Sequence, residues 1–280
     1  MKRILTAIVL ILGVVALIFF GQLWMLTLFA CLVAELAAYE YLALANSTTG
    51  RIPAWWMAFA TALPFLFTLP GFHYEAELPV LSGVALLLLA WTSFRGSLDR
   101  ALPDAALGLF GLVYVAYPLT LLPILWNRDD GKPLLLFLMV CVWAGDIAAL
   151  YVGKSFGRHK LSHLSPNKTW EGSIASVAGS VVAGLAVVFA GQALSARGNT
   201  LLHILQPVWQ SIVLAAIINV AAQVGDLLES AIKRGAGVKD SGKMLPGHGG
   251  ILDRIDALLV ATPVLYAVLL LKDALSLGRF

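Results

Sequence analysis

Two pairs of acidic residues in the second half of the chain have a spacing that suits cation binding. Asp226 and Glu229 are three residues apart, as are Asp253 and Asp256. Residues three apart on a helix lie on one face, so each pair would present its carboxylates together. Hard cations such as Mg²⁺ take carboxylate oxygens and are commonly completed by the phosphates of a substrate. The spacing therefore predicts two helices that present carboxylates to one metal ion.

The segment that joins these pairs is rich in glycine and in cations. It reads S-A-I-K-R-G-A-G-V-K-D-S-G-K-M-L-P-G-H-G-G-I-L-D-R-I-D over residues 230–256. Gly247, Gly249 and Gly250 permit positive φ and lead into a helix start, whose N–H groups attract phosphate. A tight turn that simply begins a span is the other interpretation. The neighbouring cations favour phosphate binding, and they are Lys233, Arg234, Lys239, Lys243 and Arg254.

His248 lies among these glycines and has two interpretations. Histidine is a common metal ligand, but this chain offers no convincing set of soft ligands to accompany it. A hydrogen-bonding role in the loop is therefore the simpler interpretation.

A second polar loop reads S-P-N-K-T-W-E-G over residues 165–172. Lys168 can neutralise phosphate, Thr169 can donate a hydrogen bond, and Trp170 can lie at a membrane interface. On spacing alone, a cationic cytoplasmic loop that ends at a helix start is the simpler interpretation. The loop becomes a candidate for substrate binding only together with the other polar segments.

These polar segments are set in a chain that is far too apolar for an ordinary soluble domain, with 60% hydrophobic and 12% charged residues. A spanning helix needs about 20 mostly apolar residues, a length that predicts about nine of them. The predicted spans are 4–20, 22–45, 52–70, 78–94, 105–126, 133–153, 172–194, 208–232 and 251–271. We predict an all-α polytopic integral membrane helix bundle. It would form a single membrane domain over residues 1–280, with N-terminal helices in 1–130 and catalytic helices and cytoplasmic loops in 131–280.

The cationic residues predict the orientation of this bundle, because Lys and Arg near span ends are retained on the cytoplasmic side. They concentrate in the loops 154–171 and 233–250. We therefore predict an N-in/C-out protein with its active site facing the cytoplasm. The start Met1-Lys2-Arg3 also resembles a secretory signal, but no small-residue cleavage site precedes a soluble domain, so an uncleaved first span is expected.

Four carboxylates fall at a similar depth in their predicted spans, about 10 Å from the cytoplasmic ends at about 1.5 Å per residue. They are Glu40, Asp146, Asp226 and Asp256. Carboxylates in apolar spans are costly to desolvate, so a common layer predicts a shared polar cavity. Transporters also place carboxylates on facing helices, but here no inverted repeat is evident and the carboxylates gather at one side. For Glu35 and Glu40, lining this cavity and pairing with neighbouring cations both stay open.

The polar segments together resemble the CDP-diacylglycerol synthase, or phosphatidate cytidylyltransferase, family. The similarity covers about the second half of the chain, from Asp146 onward, whereas the earlier spans show only generic hydrophobicity. The matching runs are Ser230-x-x-Lys233-Arg234, Lys239-Asp240, Pro246-x-His248-Gly249-Gly250-x-x-Asp253-Arg254-x-Asp256, Gly225-Asp226-Leu227 and the loop 165–172.

This resemblance implies transfer of CMP from CTP to phosphatidic acid, with Mg²⁺ as cofactor and a second ion, such as K⁺, left open. It implies that Asp226, Asp253 and Asp256 bind metal, and that these three and Lys233 are catalytic. The implied substrate and phosphate contacts are Lys168, Thr169, Arg234, Lys239, Asp240, His248, Gly249, Gly250 and Arg254. It further implies a homodimer in the bacterial cytoplasmic (inner) membrane, in contact with membrane lipid. No nucleic-acid partner is expected.

A closer alternative is an enzyme of similar build that moves a nucleotide or phosphate from CTP onto another lipid, such as a polyprenol or an archaeal ether lipid. The motifs do not distinguish the two kinds of lipid acceptor, because they concern the binding of CTP and phosphate rather than of acyl chains. Transfer onto phosphatidic acid needs no general base, because the second pKa of a phosphate monoester is about 6 and its phosphate is mostly dianionic at cytoplasmic pH. This fits a chain in which no convincing Ser-His-Asp or Cys-His arrangement is found.

Overall fold

The computed structural model describes residues 2–48, 51–72, 77–244 and 249–276. Within these residues the chain forms ten α-helices and one π-helical segment, Leu112–Ala116. The helices are α1 (Lys2–Phe20), α2 (Leu23–Thr48), α3 (Ala54–Leu66), α4 (Glu77–Arg95), α5 (Leu98–Gly111), α6 (Tyr117–Trp126), α7 (Gly131–Phe156), α8 (Trp170–Ser195), α9 (Val208–Gly235) and α10 (Leu252–Ser276). The described part of the chain has no β-strand, and an isolated bridge joins Lys160 to Thr169.

Seven of the described helical segments are long and apolar enough to cross a membrane. They are Leu23–Ser47, Leu78–Arg95, Leu98–Trp126, Gly131–Phe156, Trp170–Ser195, Val208–Gly235 and Leu252–Leu275. Two shorter apolar helices, Leu10–Phe20 and Ala54–Leu66, fall where the first and third predicted spans lie. The prediction of an all-α polytopic membrane protein is thus confirmed, whereas the number nine and the N-in/C-out orientation stay predictions.

The span predicted over residues 105–126 begins earlier in the structure, at Leu98. Its first turns contain Arg100 and Asp104, whose charges lower the hydropathy of any window that includes them. Asp104 is nevertheless only 4% exposed, because it accepts a hydrogen bond from the Arg51 N–H at 3.3 Å and pairs with Arg100 at 3.5 Å. Pairing of these charges allows the helix to continue where hydropathy alone predicts a loop.

The chain divides into two compact units, each assembled from segments that are distant in sequence. The first unit comprises Met1–Ile124 and Ile232–Ile255, and the second comprises Leu125–Ala231 and Asp256–Phe280. The glycine-rich loop after α9 therefore belongs to the first unit, and the loop between α7 and α8 belongs to the second. The single membrane domain, and its division at residue 130, stay predictions.

Close contacts around Tyr41 fix the position of α2 in the first unit. The Tyr41 side chain is 2% exposed, and its hydroxyl donates a hydrogen bond to the Leu107 carbonyl at 2.7 Å. A Cβ at Gly111 would lie 2.5 Å from the Tyr41 ring, so α5 approaches α2 more closely there than any larger residue would allow. Glu40, the neighbour of Tyr41 in the sequence, is held by the same helix.

Small and polar residues join α7, α8 and α9 in the second unit. Ser180 Oγ donates to the Cys141 carbonyl at 2.5 Å, and Asn219 Nδ2 donates to Ser176 Oγ at 2.9 Å and to Ser180 Oγ at 2.7 Å. A Cβ at Gly145 would lie 2.1 Å from Asn219 Nδ2, so α7 also approaches closely. Membrane helices associate through small residues and hydrogen bonds of this kind, which contribute about 0.6–2 kcal/mol each. We call these five residues the polar seam.

Candidate functional site

A polar cavity of about 640 Å³ lies in the second unit, beside the polar seam. Asp146 of α7 and Asp226 of α9 line it, as do Lys168 from the loop before α8 and Gln223 of α9. Gln223 Nε2 donates to Asn219 Oδ1 of the seam at 2.6 Å. Of the four carboxylates predicted to share a cavity, Asp146 and Asp226 line this one, whereas Glu40 and Asp256 are not among its lining residues. Because carboxylates and a lysine share this cavity, it can receive a cation and a phosphate group together.

The loop between α7 and α8 is held by its own backbone. The Leu161 N–H donates to the Lys168 carbonyl at 2.8 Å, and the Trp170 N–H donates to the His159 carbonyl at 2.9 Å. Thr169 Oγ1 then caps α8 by accepting from the Gly172 N–H at 3.1 Å. The loop carries Lys168 to Asp226, with which it forms an ion pair. Two predicted site residues, one for phosphate and one for metal, are therefore in contact.

Three carboxylates of the second unit come together at α9 and α10. One oxygen from each of Asp226, Glu229 and Asp256 lies within 4.8 Å of the others. Gly225 permits this approach, because a Cβ there would lie 2.4 Å from the Asp256 carbonyl oxygen. Glu229 is fully buried, at 0% exposure. Carboxylate oxygens this close together could act as joint ligands of one hard cation. We call these three residues the acidic cluster.

The acidic cluster brings Asp226 and Asp256 together, and it includes Glu229, which the spacing in the sequence pairs with Asp226 but which the family resemblance does not assign as a metal ligand. A signal for Glu229 was present, because it follows Asp226 by three residues. The oxygen-only ligand set suits Mg²⁺ better than a softer metal.

Asp253, the other predicted metal ligand of α10, lies in the first unit among hydrogen-bond donors. Lys233 Nζ contacts its Oδ1 at 2.6 Å, and the Gly250 N–H donates to its Oδ2 at 2.8 Å. The Ser241 N–H reaches both carboxylate oxygens, at 3.2 and 3.1 Å. Gly249 has φ +80, and a Cβ there would lie 2.8 Å from Asp253 Oδ2, so the position requires glycine. A role for Asp253 in metal binding stays a prediction.

The remaining residues predicted to contact phosphate differ in their surroundings. Arg234 is exposed and donates to the Val238 carbonyl at 3.2 Å. Lys239, Asp240 and Arg254 are also exposed, whereas His248 lies outside the described residues. The Gly250 N–H, one of the donors in the predicted phosphate cradle, is used by Asp253. The phosphate-binding roles of these residues stay predictions.

Glu40 forms hydrogen bonds with the glycine-rich loop and with the start of α10. It is 3% exposed, and its Oε2 accepts a hydrogen bond from Ser241 Oγ at 3.0 Å and from the Leu252 N–H at 2.9 Å. These contacts lie in the first unit, whereas the cavity lined by Asp146 belongs to the second. Of the two roles that the sequence leaves open for Glu40, the structure favours a structural one, through hydrogen bonds rather than cations.

Residues 1–272 match the family model described as the Cytidylyltransferase family. The chain belongs to that family. A phosphatidate cytidylyltransferase of Brucella suis biovar 1 (strain 1330) is 40% identical to this family member over 189 residues, which are 67% of this chain and 62% of the relative. A phosphatidate cytidylyltransferase of Staphylococcus haemolyticus (strain JCSC1435) is 32% identical over 271 residues, 96% of this chain and 98% of that one.

Not every relative of this family member bears that name. A protein of Escherichia coli (strain K12), named uncharacterized protein YnbB, is 34% identical over 256 residues, 88% of this chain and 79% of its own. The match to the Brucella protein spans less than two thirds of that relative's length. The family resemblance deduced from the motifs is confirmed.

Proposed function

We propose that this family member is a phosphatidate cytidylyltransferase. It would transfer CMP from CTP to phosphatidic acid and release CDP-diacylglycerol and pyrophosphate, a step of phospholipid biosynthesis. The observation that carries the proposal is the acidic cluster, with Lys168 bound to Asp226 at a polar cavity inside an apolar helical protein. The names of the Brucella and Staphylococcus relatives support the choice of substrates.

Mg²⁺ is the cofactor we propose, with Asp226, Glu229 and Asp256 as its protein ligands. Three carboxylates leave room in the coordination shell for water and substrate phosphates, as Mg²⁺ sites commonly do. When bound, the ion would neutralise charge on the phosphates and orient them. We also propose a metal-binding role for Asp253, and a second ion such as K⁺.

In the proposed reaction a phosphate oxygen of the lipid attacks the α-phosphorus of CTP. A new P–O bond forms there, the bond to the β-phosphate breaks, and pyrophosphate leaves with the electron pair. No side chain has to remove a proton, because a phosphate monoester with a second pKa of about 6 is mostly dianionic at neutral pH. The principal barrier is repulsion between two polyanions.

The lysines of the chain would lower that repulsion. Lys168 lines the cavity, where it can neutralise phosphate charge while remaining next to Asp226. Lys233 is 13% exposed and contacts Asp253, so its ammonium group is already oriented at the loop we propose for CTP phosphates. Orientation before the reaction matters, because donors that are fixed in place stabilise charge without reorganising.

The membrane setting follows from the proposed substrates. Phosphatidic acid keeps its acyl chains in lipid and its headgroup at the interface, whereas CTP arrives from the cytosol. A polar cavity near the cytoplasmic ends of the spans lets both meet. We therefore propose an active site that faces the cytoplasm, in the bacterial inner membrane, and a homodimeric protein.

The proposal is tested with purified protein, Mg²⁺ and a panel of lipid phosphates that includes phosphatidic acid, a polyprenyl phosphate and an archaeal ether phosphate. CTP is labelled at its α-phosphate in one arm and at its γ-phosphate in the other. We expect label in the lipid only from the α-position, only with phosphatidic acid, and in equal amount to released pyrophosphate. Transfer of the γ-label would instead identify a kinase. Labelling of another lipid would show that this lipid, rather than phosphatidic acid, is the acceptor.

A further inference from the structure

We infer that Glu40 is a positioning residue that acts on Asp253 through the glycine-rich loop. The inference about catalysis rests on the proposed function, because it assumes that Asp253 takes part in the reaction. The structural link between the two carboxylates does not depend on that assumption. Glu40 belongs to α2, in the part of the chain where the sequence shows only generic hydrophobicity.

The first link joins Glu40 to both ends of the loop. Its Oε2 accepts from Ser241 Oγ at 3.0 Å, shortly after α9, and from the Leu252 N–H at 2.9 Å, where α10 begins. The first N–H groups of a helix have no partner within that helix, so a carboxylate there also interacts favourably with the helix dipole. One buried oxygen therefore ties the loop to the start of the helix that carries Asp253.

The second link joins the loop to Asp253. Ser241 uses its hydroxyl for Glu40 and its backbone N–H for both oxygens of Asp253, at 3.2 and 3.1 Å. The Gly250 N–H donates to Asp253 Oδ2 at 2.8 Å. Ser241 is thus a bridge with one carboxylate on each side. Moving Ser241 would withdraw the N–H that reaches both oxygens of Asp253, so that its orientation would depend on its other contacts, among them Lys233 and the Gly250 N–H.

The loop packs so closely against the Glu40 carboxylate that two of its glycines have no space for a side chain. A Cβ at Gly242 would lie 2.2 Å from Glu40 Oε1, and a Cβ at Gly250 would lie 2.3 Å from Glu40 Oε2 and 2.1 Å from Ser241 Oγ. Distances under about 3 Å cannot be accommodated without movement of one partner, because protein interiors are close-packed. The two glycines and the carboxylate therefore form one fitted unit, in which a change at any of them should displace the others.

The kinetic test compares Glu40→Ala, Glu40→Gln and Glu35→Ala in the purified protein, with phosphatidic acid and CTP. Glu35 is the matched control, a partly buried carboxylate on the same helix with no described contact to the loop. We expect Glu40→Ala to lower kcat by about tenfold or more, with KM for CTP within about twofold, the pattern of a lost transition-state interaction. Glu40→Gln keeps an oxygen that can accept both bonds, so we expect most of the activity to be rescued.

The structural test uses amide hydrogen exchange, which needs no activity. In Glu40→Ala we expect the N–H groups of Ser241 and Gly250 to exchange about tenfold faster or more, since their protection depends on the ordered loop. Exchange in α7 should stay unchanged, which shows that the variant is folded. Unchanged exchange at Ser241 and Gly250 would overturn the inference, whatever the kinetics.

A double-mutant cycle separates transmission through Ser241 from a general loss of order. If Glu40 acts through the Ser241 hydroxyl, Ser241→Ala and Glu40→Ala together should lower kcat little more than Glu40→Ala alone. Fully additive losses would overturn the proposed route. Wild-type protein that labels no lipid would refute the proposed function instead, and the exchange experiment would still decide whether Glu40 orders the loop.

Discussion

The carboxylate of Asp253 and those of the acidic cluster differ in the groups that surround them. Asp253 is met by donors of the protein itself, namely Lys233 and the N–H groups of Ser241 and Gly250. The three carboxylates of the acidic cluster instead lie within 4.8 Å of one another. The difference teaches that Asp253 is held in place by donors of the fold, whereas the cluster, in which Asp226 also pairs with Lys168, brings three carboxylates close enough to share the cation we propose. Loss of a carboxylate should therefore have different consequences in the two places.

The largest expected effect is loss of turnover in both Asp226→Asn and Asp253→Asn. We expect each to lower kcat by at least about 10²-fold, as removal of one preorganised charge-stabilising group does in other enzymes. Both proteins should remain folded in the membrane. The measurement is formation of CDP-diacylglycerol from labelled CTP. Near-normal Mg²⁺-dependent activity in both variants would refute the proposed ligands.

Thermal unfolding of the same two variants tests the comparison directly. Asp253→Asn should lower the free energy of unfolding by about 1–3 kcal/mol, because buried donors lose a charged acceptor. Asp226→Asn should lower it by about 1 kcal/mol or less, since the Asp226 side chain is 38% exposed and half-exposed ion pairs contribute little. Asp240→Asn, an exposed acid of the same loop as Ser241, is the control for Asp253. Equal stability losses would abolish the distinction.

Glu229→Gln should remove most of the stabilisation that Mg²⁺ gives the wild-type protein. A ligand present at about 100 times its Kd stabilises the folded state by about 2.7 kcal/mol, and this increment should shrink in the variant. The measurement is Tm with Mg²⁺ and with EDTA, and exposed Asp129→Asn is the control. An undiminished Mg²⁺ increment would place the ion elsewhere.

Gly225→Ala should weaken Mg²⁺ binding by about tenfold without removing any ligand, because misplaced ligands bind a demanding ion less well. The added Cβ would lie 2.4 Å from the Asp256 carbonyl and would push α10 away from Asp226. Gly235→Ala is the matched control on α9, since a Cβ there meets nothing within 4 Å. The Mg²⁺ concentration that gives half-maximal activity is the readout. Equal values for the two alanine variants would contradict close helix packing as the cause.

The smallest effect is expected for Thr169, which caps α8 beside Lys168. Thr169→Ala should lower the free energy of unfolding by about 0.5–2 kcal/mol, the usual effect of losing an N-cap. The same variant should raise the KM for CTP a few-fold, because the loop that bears Lys168 would be less ordered. Thr169→Ser keeps the accepting oxygen and should behave like the wild type in both measurements. A serine variant as impaired as the alanine variant would show that the methyl group, rather than the cap, is what matters.

Much of the fold follows from hydropathy alone, because a bilayer requires long apolar helices whose ends are marked by charge. The segment predicted over 172–194 lies within the observed span Trp170–Ser195, and that over 208–232 lies within Val208–Gly235. The prediction is less complete where charges are paired and buried. Asp104 is such a residue. Its charge lowers the local hydropathy, so the sequence does not predict that the span begins at Leu98.

The candidate site is predictable where its residues are close in sequence. Asp226 and Glu229 share a helix face by spacing, and Lys168 is evident in its loop. The support from Glu40 is not predictable in this way, because its partners Ser241 and Leu252 follow it by 201 and 212 residues. Nothing in a single sequence indicates which distant backbone groups a buried carboxylate will meet. Only the folded chain specifies these partners.

The polar seam limits how the cavity can adapt to what enters it. Rotation of α8 about its axis would break the buried hydrogen bonds of Asn219 to Ser176 and Ser180. The seam therefore opposes movement of the helices beside the cavity, and we expect adaptation to ligands of different bulk in the loop that bears Lys168. Selectivity for headgroup size should accordingly evolve through the length and composition of residues 157–169, while the helices below remain unaltered.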